Sequence, residues 1–244
     1  MATHVDSPSA VSPRGGSGAM FDEIAHRYDL LNRILSFGTD QGWRRATIAA
    51  LGAGPGMQFL DLATGTGDLA LRLLRAQPDT TVVGLDPSPR MLQQALRKAE
   101  LAGASERVQW VLGDAEDLPF ANASFDGVCM AFGIRNVPDR PRALREMARV
   151  TRTGGRVAIL ELSDPDSGLL RSLARLHVHR IVPRVGGWLS GAREYRYLSE
   201  SIAAFPSPAD FAATMREAGL AVQEVRRLTF GAAHLYVACS GGGP

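Results

Sequence analysis

Three aspartates, Asp61, Asp86 and Asp114, sit where successive short strands should end. Asp61 leads into Thr64-Gly65-Thr66-Gly67-Asp68. Gly65 and Gly67 let a backbone approach a ligand closely, and a helix opening at Asp68 offers unpaired N–H groups. Asp86 follows Gly67 by 19 positions, where a carboxylate can accept from both hydroxyls of a ribose. Asp114 can accept from an adenine amino group, and the backbone of Ala115 can answer a ring nitrogen. These residues fit an adenosine-bearing ligand. Gly65-x-Gly67-x-x-Ala70 also matches the dinucleotide fingerprint, so the turn alone does not separate two ligand classes.

Charge separates them. A dinucleotide would lay its pyrophosphate on the helix N-terminus, beside Asp61 and Asp68. At about 4–6 Å and an effective dielectric near 20, each like-charge pair costs roughly 3–4 kcal/mol. S-adenosylmethionine has no phosphate and brings a sulfonium and an ammonium to this loop. The expected cofactor is therefore S-adenosyl-L-methionine. A nicotinamide-dependent oxidoreductase and a non-catalytic S-adenosylmethionine-binding module are the alternatives.

The elements around these residues alternate. Short apolar runs at 57–62, 81–85, 108–112, 126–132 and 156–161 read as buried strands. Helical patterns at 68–76, 89–103 and 140–150 lie between them, the last closed by Thr153-Gly-Gly155. Asp86 and Ser88 could both cap the helix at Pro89. Such alternation predicts right-handed βαβ units and a parallel sheet with both faces covered. A helix at 208–219 precedes two apolar strands, 220–228 and 232–239, read as an antiparallel pair ending the sheet. The fold expected is α/β: a doubly wound, mostly parallel seven-stranded sheet, Rossmann-like, with an antiparallel last strand. Helical pieces at 19–52 and 164–207 would form a cap and an inserted lid within one domain spanning 19–240. Ser- and Gly-rich residues 1–18 read as a tail, and 241–244 as a flexible end.

Composition narrows function further. Lys plus Arg number 27 against 25 Asp plus Glu, so no global field draws the chain to nucleic acid. Lys98 is the sole lysine. Cys129 and Cys239 form no disulfide framework, and His177 and His179 point to different helix faces, so no metal site is expected. No apolar run reaches the length of a membrane span and no secretory signal is evident, which predicts a cytoplasmic protein.

Longer stretches carry a resemblance. They are Arg27-Tyr-Asp-Leu-Leu-Asn32, Ser36-Phe-Gly38, Trp43-Arg44, Leu60 to Asp68, Asp114 to Phe120, Ala131-Phe-Gly-Ile-Arg-Asn-Val137, Glu161-Leu-Ser163 and Tyr195 to Ser201. Over roughly residues 20–238 the chain resembles class I S-adenosylmethionine-dependent methyltransferases. More closely it is similar to the quinone C-methyltransferases of menaquinone and ubiquinone biosynthesis. Two positions depart from the pattern: Thr64, where Gly is common, and Ala131, where Ser often contacts the cofactor. Only a backbone or packing contact carries over to Ala131.

The resemblance implies methylation of a ring carbon on a prenylated quinol, with demethylmenaquinol ahead of a benzoquinol. Such a ring becomes nucleophilic when a hydroxyl is deprotonated, so the protein must stabilise a phenolate. Arg135, whose high pKa makes it a poor base, is the candidate for that charge; Asn136 would orient the ring oxygen, and Tyr28 would relay a proton or wall the pocket. A helix-start salt bridge with Asp139 is the competing explanation of Arg135 and Asn136, and core packing that of Tyr28. Residues 168–190 interleave Leu169, Leu170, Leu173, Leu176 and Ile181 with Arg171, Arg175, Arg180 and Arg184. A basic amphipathic helix there predicts transient contact with an anionic membrane surface; sheet coverage or a homodimer contact is the other use of such a stripe.

Overall fold

The computed structural model describes residues 33, 36, 38–163, 197 and 200–241. Tyr28, the Arg-rich stretch at 168–190 and the tail at 1–18 lie outside the described residues. The strands are β1 (Gln58–Leu62), β2 (Thr81–Asp86), β3 (Val108–Leu112), β4 (Phe125–Ala131), β5 (Thr151–Leu162), β6 (Leu220–Leu228) and β7 (Ala233–Ser240). The helices are α1 (Asp40–Leu51), α2 (Asp68–Ala76), α3 (Pro89–Leu101), α4 (Arg140–Val150) and α5 (Pro208–Glu217).

The strands form one seven-stranded sheet in the order β3-β2-β1-β4-β5-β7-β6. β3, β2, β1, β4 and β5 are parallel neighbours, and β7 is antiparallel to both β5 and β6. So β6 runs with the parallel strands and only β7 is reversed. α5 carries the chain over to β6, and the short turn Thr229–Gly231 then returns β7 into the gap beside β5.

Side chains alternate between two faces, as period-two strands require. Phe59, Val82, Cys129, Leu160 and Leu235 pack with Trp43, Leu51, Leu69, Leu73 and Leu74. Leu60, Val83, Val128, Ile159 and Tyr236 pack with Leu144, Met147, Phe211 and Met215. Each fully buried Leu or Phe contributes about 1.5–3 kcal/mol, and this double burial explains strands that read as unbroken apolar runs. The caps are local. Ser88 accepts from the Met91 amide at 3.1 Å, and Asp139 accepts from the Arg142 amide at 3.0 Å.

One boundary departs from expectation. Thr153-Gly-Gly155 is not a loop after α4, because β5 begins at Thr151 directly after the helix. The register jumps from Phe125↔Thr151 to Gly127↔Arg156, so the glycines make a bulge inside the strand. Gly154 takes φ +78°, and a Cβ on Gly155 would sit 2.7 Å from the Asp126 carbonyl oxygen.

The topology gathers one edge. The registers Leu62↔Leu85, Asp86↔Leu112, Leu62↔Met130 and Ala131↔Leu160 bring the carboxyl ends of β1 to β5 side by side. The strand order reverses between β1 and β4, and ligands of open α/β sheets bind outside such a reversal.

Candidate active site

The glycine turn joins β1 to α2. Ala63, Gly65 and Gly67 all take positive φ (+48°, +58° and +78°). Asp61, 1% exposed, ties the turn together from β1. Its Oδ2 accepts from the Thr64 hydroxyl at 2.6 Å and from the Ala70 amide at 3.1 Å, and the Cys129 thiol faces its Oδ1 at 3.6 Å. Burial raises the Asp61 carboxyl to about 6, although Thr64, Arg44, Cys129 and Ala70 all pull it down. Thr64, the departure from the glycine pattern, thus donates to Asp61 through its side chain.

This geometry corrects the charge argument made from the sequence. Asp68 does not face the turn as an uncompensated anion, because it is ion-paired with Lys98. Burial pushes the Asp68 carboxyl up, but the Lys98 ammonium outweighs it and leaves the group below the ordinary carboxylate range. The Lys98 Nζ also donates to the Thr66 hydroxyl at 3.0 Å. The case against a pyrophosphate passes to Asp61. Its carboxylate already holds a first-turn amide of α2, and a phosphate there would compete for that N–H beside a buried acid.

Asp86 closes the other side of the turn. Its Oδ2 accepts from the Gly65 amide at 2.8 Å and its Oδ1 from the Ser88 amide at 2.9 Å. Of the two expected caps of α3, only Ser88 fills that role; Asp86 orients its carboxylate on the strand end instead. Gly67 has a further duty. A Cβ there would lie 2.6 Å from the Trp110 ring, and one on Gly84 would lie 2.4 Å from it. The indole from β3 lies against the turn, so Gly67 accommodates a tryptophan as well as a left-handed backbone.

Asp114 is exposed after β3, with its Oδ1 accepting from the Glu116 amide at 3.0 Å, while Ala115 is buried in the core beneath. α4 holds this loop. Glu146 accepts from the Leu118 amide at 2.9 Å, and Arg149 donates to the carbonyls of Leu118 at 3.0 Å and Phe120 at 2.7 Å.

Beyond the half-buried Ala131, the chain turns at Phe132 with φ +62°. Phe132 is wedged by the edge of Trp43 and by the Arg44 guanidinium, 5.1 Å from its ring centre. At Gly133 a Cβ would lie 2.6 Å from the Cβ of Ala63. That close approach sets the short 3-10 turn Ile134–Asn136 directly against the glycine turn.

Arg135 is 8% exposed. Its Nη1 donates to Glu161 Oε1 at 2.7 Å and to the Phe132 carbonyl at 2.8 Å, and its amide donates to Glu161 Oε2 at 3.1 Å. The competing explanation, a salt bridge to Asp139, is not its pairing: Asp139 caps α4, and the acid comes from the end of β5. Asn136 accepts at Oδ1 from the Tyr197 hydroxyl at 2.9 Å, and its Nδ2 reaches toward the Phe132 carbonyl at 3.5 Å. Tyr236 packs nearby, and burial together with the Glu161 charge pushes its phenol up.

Asp61, Gly65, Thr66, Gly67 and Asp86 therefore meet at one turn, a knot held by Asp61 through Thr64 and Ala70, by Asp86 through Gly65 and by Lys98 through Thr66 and Asp68. Arg135 and Asn136 meet that knot through Gly133 and Ala63. Asp114, Ala115 and Ala131 flank it on the same edge. Glu161, Tyr197, Lys98 and Trp110 were not singled out as site residues. For Glu161 a signal existed: a carboxylate closing an apolar strand that must be buried on both faces needs an internal cation. Tyr197 stands in the Tyr195 to Ser201 stretch that carries the resemblance, and Lys98 is the sole lysine, but they lie 61 and 32 residues from Asn136 and Thr66, and nothing local names those partners.

A model of the ubiE/COQ5 methyltransferase family matches residues 13–240. The chain is 48% identical over 220 residues to a demethylmenaquinone methyltransferase of Thermus thermophilus, covering 89% of this chain and 98% of that protein. It is 42% identical over 218 residues to a ubiquinone/menaquinone biosynthesis C-methyltransferase of Geotalea daltonii, covering 89% and 93%. Among solved structures, the complex of the Haloferax volcanii Trm112 methyltransferase activator with a methyltransferase aligns with TM-score 0.67 at 20% identity, over 90% of this chain and 97% of that one. At that identity the likeness concerns the fold.

Proposed function

The chain belongs to the ubiE/COQ5 methyltransferase family, and on that footing we propose that it methylates a ring carbon of a demethylated, prenylated quinol, demethylmenaquinol first among them. It is an S-adenosylmethionine-dependent methyltransferase with a Rossmann-like fold. The observation that carries the proposed site is the contact of Ala63 with Gly133, which abuts the adenosine-type turn and the Arg135–Asn136 turn at the point where the strand order reverses.

The residues present suit the cofactor. Asp86 is an oriented carboxylate for ribose hydroxyls, Asp114 an exposed acceptor for an adenine amino group, and the α2 N-terminus is closed to phosphate by Asp61. Gly65, Thr66 and Gly67 would line the cofactor's path, and Ala115 and Ala131 would pack against it. When bound, S-adenosylmethionine supplies an electrophilic methyl group. This chain's own residues then have two tasks. The first is to hold the ring rigidly against that methyl, since about 3–3.5 Å is the separation from which such reactions proceed. The second is to stabilise negative charge on the ring oxygen, which raises electron density at the neighbouring carbon. Arg135 supplies a buried positive charge for that oxygen, Asn136 orients it, and Tyr28 contributes a wall or a proton relay.

The test is mass spectrometry of purified protein with S-adenosylmethionine and either demethylmenaquinol or a demethylated benzoquinol. A product one methyl group heavier from the naphthoquinol supports the reading. Product from the benzoquinol alone moves the substrate to the ubiquinone pathway, and product from neither ends it.

The quinol tail is apolar, so we place the enzyme in the cytoplasm with transient contact at the membrane surface. Among the described residues no helix is long and apolar enough to cross a membrane. The support is the interleaved Leu and Arg pattern of residues 168–190. Sedimentation with anionic vesicles should be lost when Arg171, Arg175 and Arg180 become Glu, and an unchanged bound fraction would refute it.

A further inference from the structure

We propose that Glu161 is a positioning residue for methyl transfer, acting through Arg135. The proposal rests on the reading that Arg135 stabilises the ring oxygen. Glu161 closes β5 with a side chain that is 0% exposed. Its two oxygens grip the neighbouring turn at two points: Oε1 takes the Arg135 guanidinium at 2.7 Å and Oε2 takes the Arg135 amide at 3.1 Å. Oε1 also accepts from the Leu162 amide at 2.8 Å, which fixes the carboxylate on its own strand. One acid therefore sets both where the 3-10 turn begins and where its cation points. A buried Arg without this partner would swing toward water or another acceptor, because an uncompensated internal charge is strongly disfavoured.

The surroundings reinforce the arrangement. Arg140 from α4 donates to the Arg135 carbonyl at 3.0 Å and to the Ile134 carbonyl at 3.3 Å, gripping the turn from the other side. On β7, His234 lies opposite Glu161 in register, and its ring meets the Ser163 hydroxyl at 2.7 Å. Tyr236 packs on the same strand and feels the Glu161 charge. Arg135 thus binds, through both its amide and its guanidinium, a carboxylate that the Leu162 amide fixes on β5, and its charge can be directed toward the edge only while that carboxylate stays in place.

The experiment compares Glu161→Gln, Glu161→Asp, Arg135→Gln and the double variant Glu161→Gln/Arg135→Gln, with S-adenosylmethionine affinity measured by calorimetry as the check that each is folded. Glu161→Gln is expected to lower kcat by one to two orders of magnitude while KM for quinol and cofactor affinity stay within about threefold. It should also lose activity least at high pH, where the quinol ionises without help. The double variant should be no slower than Arg135→Gln alone, because both changes remove one function. A double variant slower by the product of the two single losses would overturn the proposal, as would a Glu161→Gln profile lowered equally at every pH. If Glu161→Gln fails to bind cofactor, Glu161→Asp decides by the same pH profile, since it keeps the charge and draws it back. A failure of the underlying reading looks different: Arg135→Gln would then turn over normally.

Discussion

The two halves of the active edge are built differently. On the β1–β2 side both strand-end carboxylates bind the turn that follows β1, Asp61 to Thr64 and Ala70, three and nine residues apart, and Asp86 to Gly65, 21 apart, while Lys98 joins Asp68 and Thr66 from 30 and 32 residues away. On the β4–β5 side the defining pairs are Arg135 with Glu161, 26 residues apart, and Asn136 with Tyr197, 61 apart. In the first half the amides of Gly65, Ala70 and Ser88 donate to the two carboxylates, and Lys98 reaches in from α3 to Asp68 and Thr66. The second depends on side chains meeting side chains. The proposed cofactor half is therefore built on one strand–turn–helix unit, its neighbour and Lys98 of α3, whereas the proposed acceptor half takes Glu161 from the end of β5 and Tyr197 from 61 residues away. A substitution in the first half should act on cofactor affinity, and one in the second on turnover.

The largest expected effect tests the second half. Arg135→Gln should reduce kcat by about 100- to 1000-fold, in line with losing one preorganised charge stabiliser, while calorimetry finds cofactor affinity within about threefold. A parallel fall in affinity would erase the distinction between the halves. Next comes Asp61, where burial raises the carboxyl from 3.8 to about 6. The sign follows from linkage: the folded protein holds this proton more tightly, so the contribution is fully present below about pH 3.8 and is lost as pH rises through about 6. That interval is worth on the order of 3 kcal/mol. Urea titrations from pH 4 to 7 should show stability declining with pH in the wild type relative to Asp61→Asn, and parallel curves would remove Asp61 as the cause.

Asp86→Ala should weaken S-adenosylmethionine binding by about 1–3 kcal/mol with kcat at saturating cofactor retained within a few-fold, as calorimetry and initial rates can check. The smallest effect is expected at Lys98→Met. The Lys98–Asp68 pair is partly exposed, so its loss should cost under about 1 kcal/mol of stability in thermal melts, with a modest loss of cofactor affinity through Thr66.

What the sequence determined by itself follows the same division. The helices and strands were legible because apolar periodicity, Ser88 as a cap and the Gly65–Gly67 turn are properties of neighbouring residues, while the capping role of Asp139 came only from the structure. An adenosine-type ligand followed for the same reason. Tertiary structure decided what those charges meet. Asp68 counted as an anion beside the ligand until folding placed Lys98 against it, and Asp61 became the group that closes the α2 terminus. Arg135 found its acid on β5 rather than at Asp139, and the two Gly residues after Thr153 became a bulge instead of a loop because β4 and β5 had to come into register. The physical reason is common to all of these. Hydrophobic pattern and capping act along the chain, whereas the sign and strength of a charge depend on burial and on partners that only the packed sheet supplies.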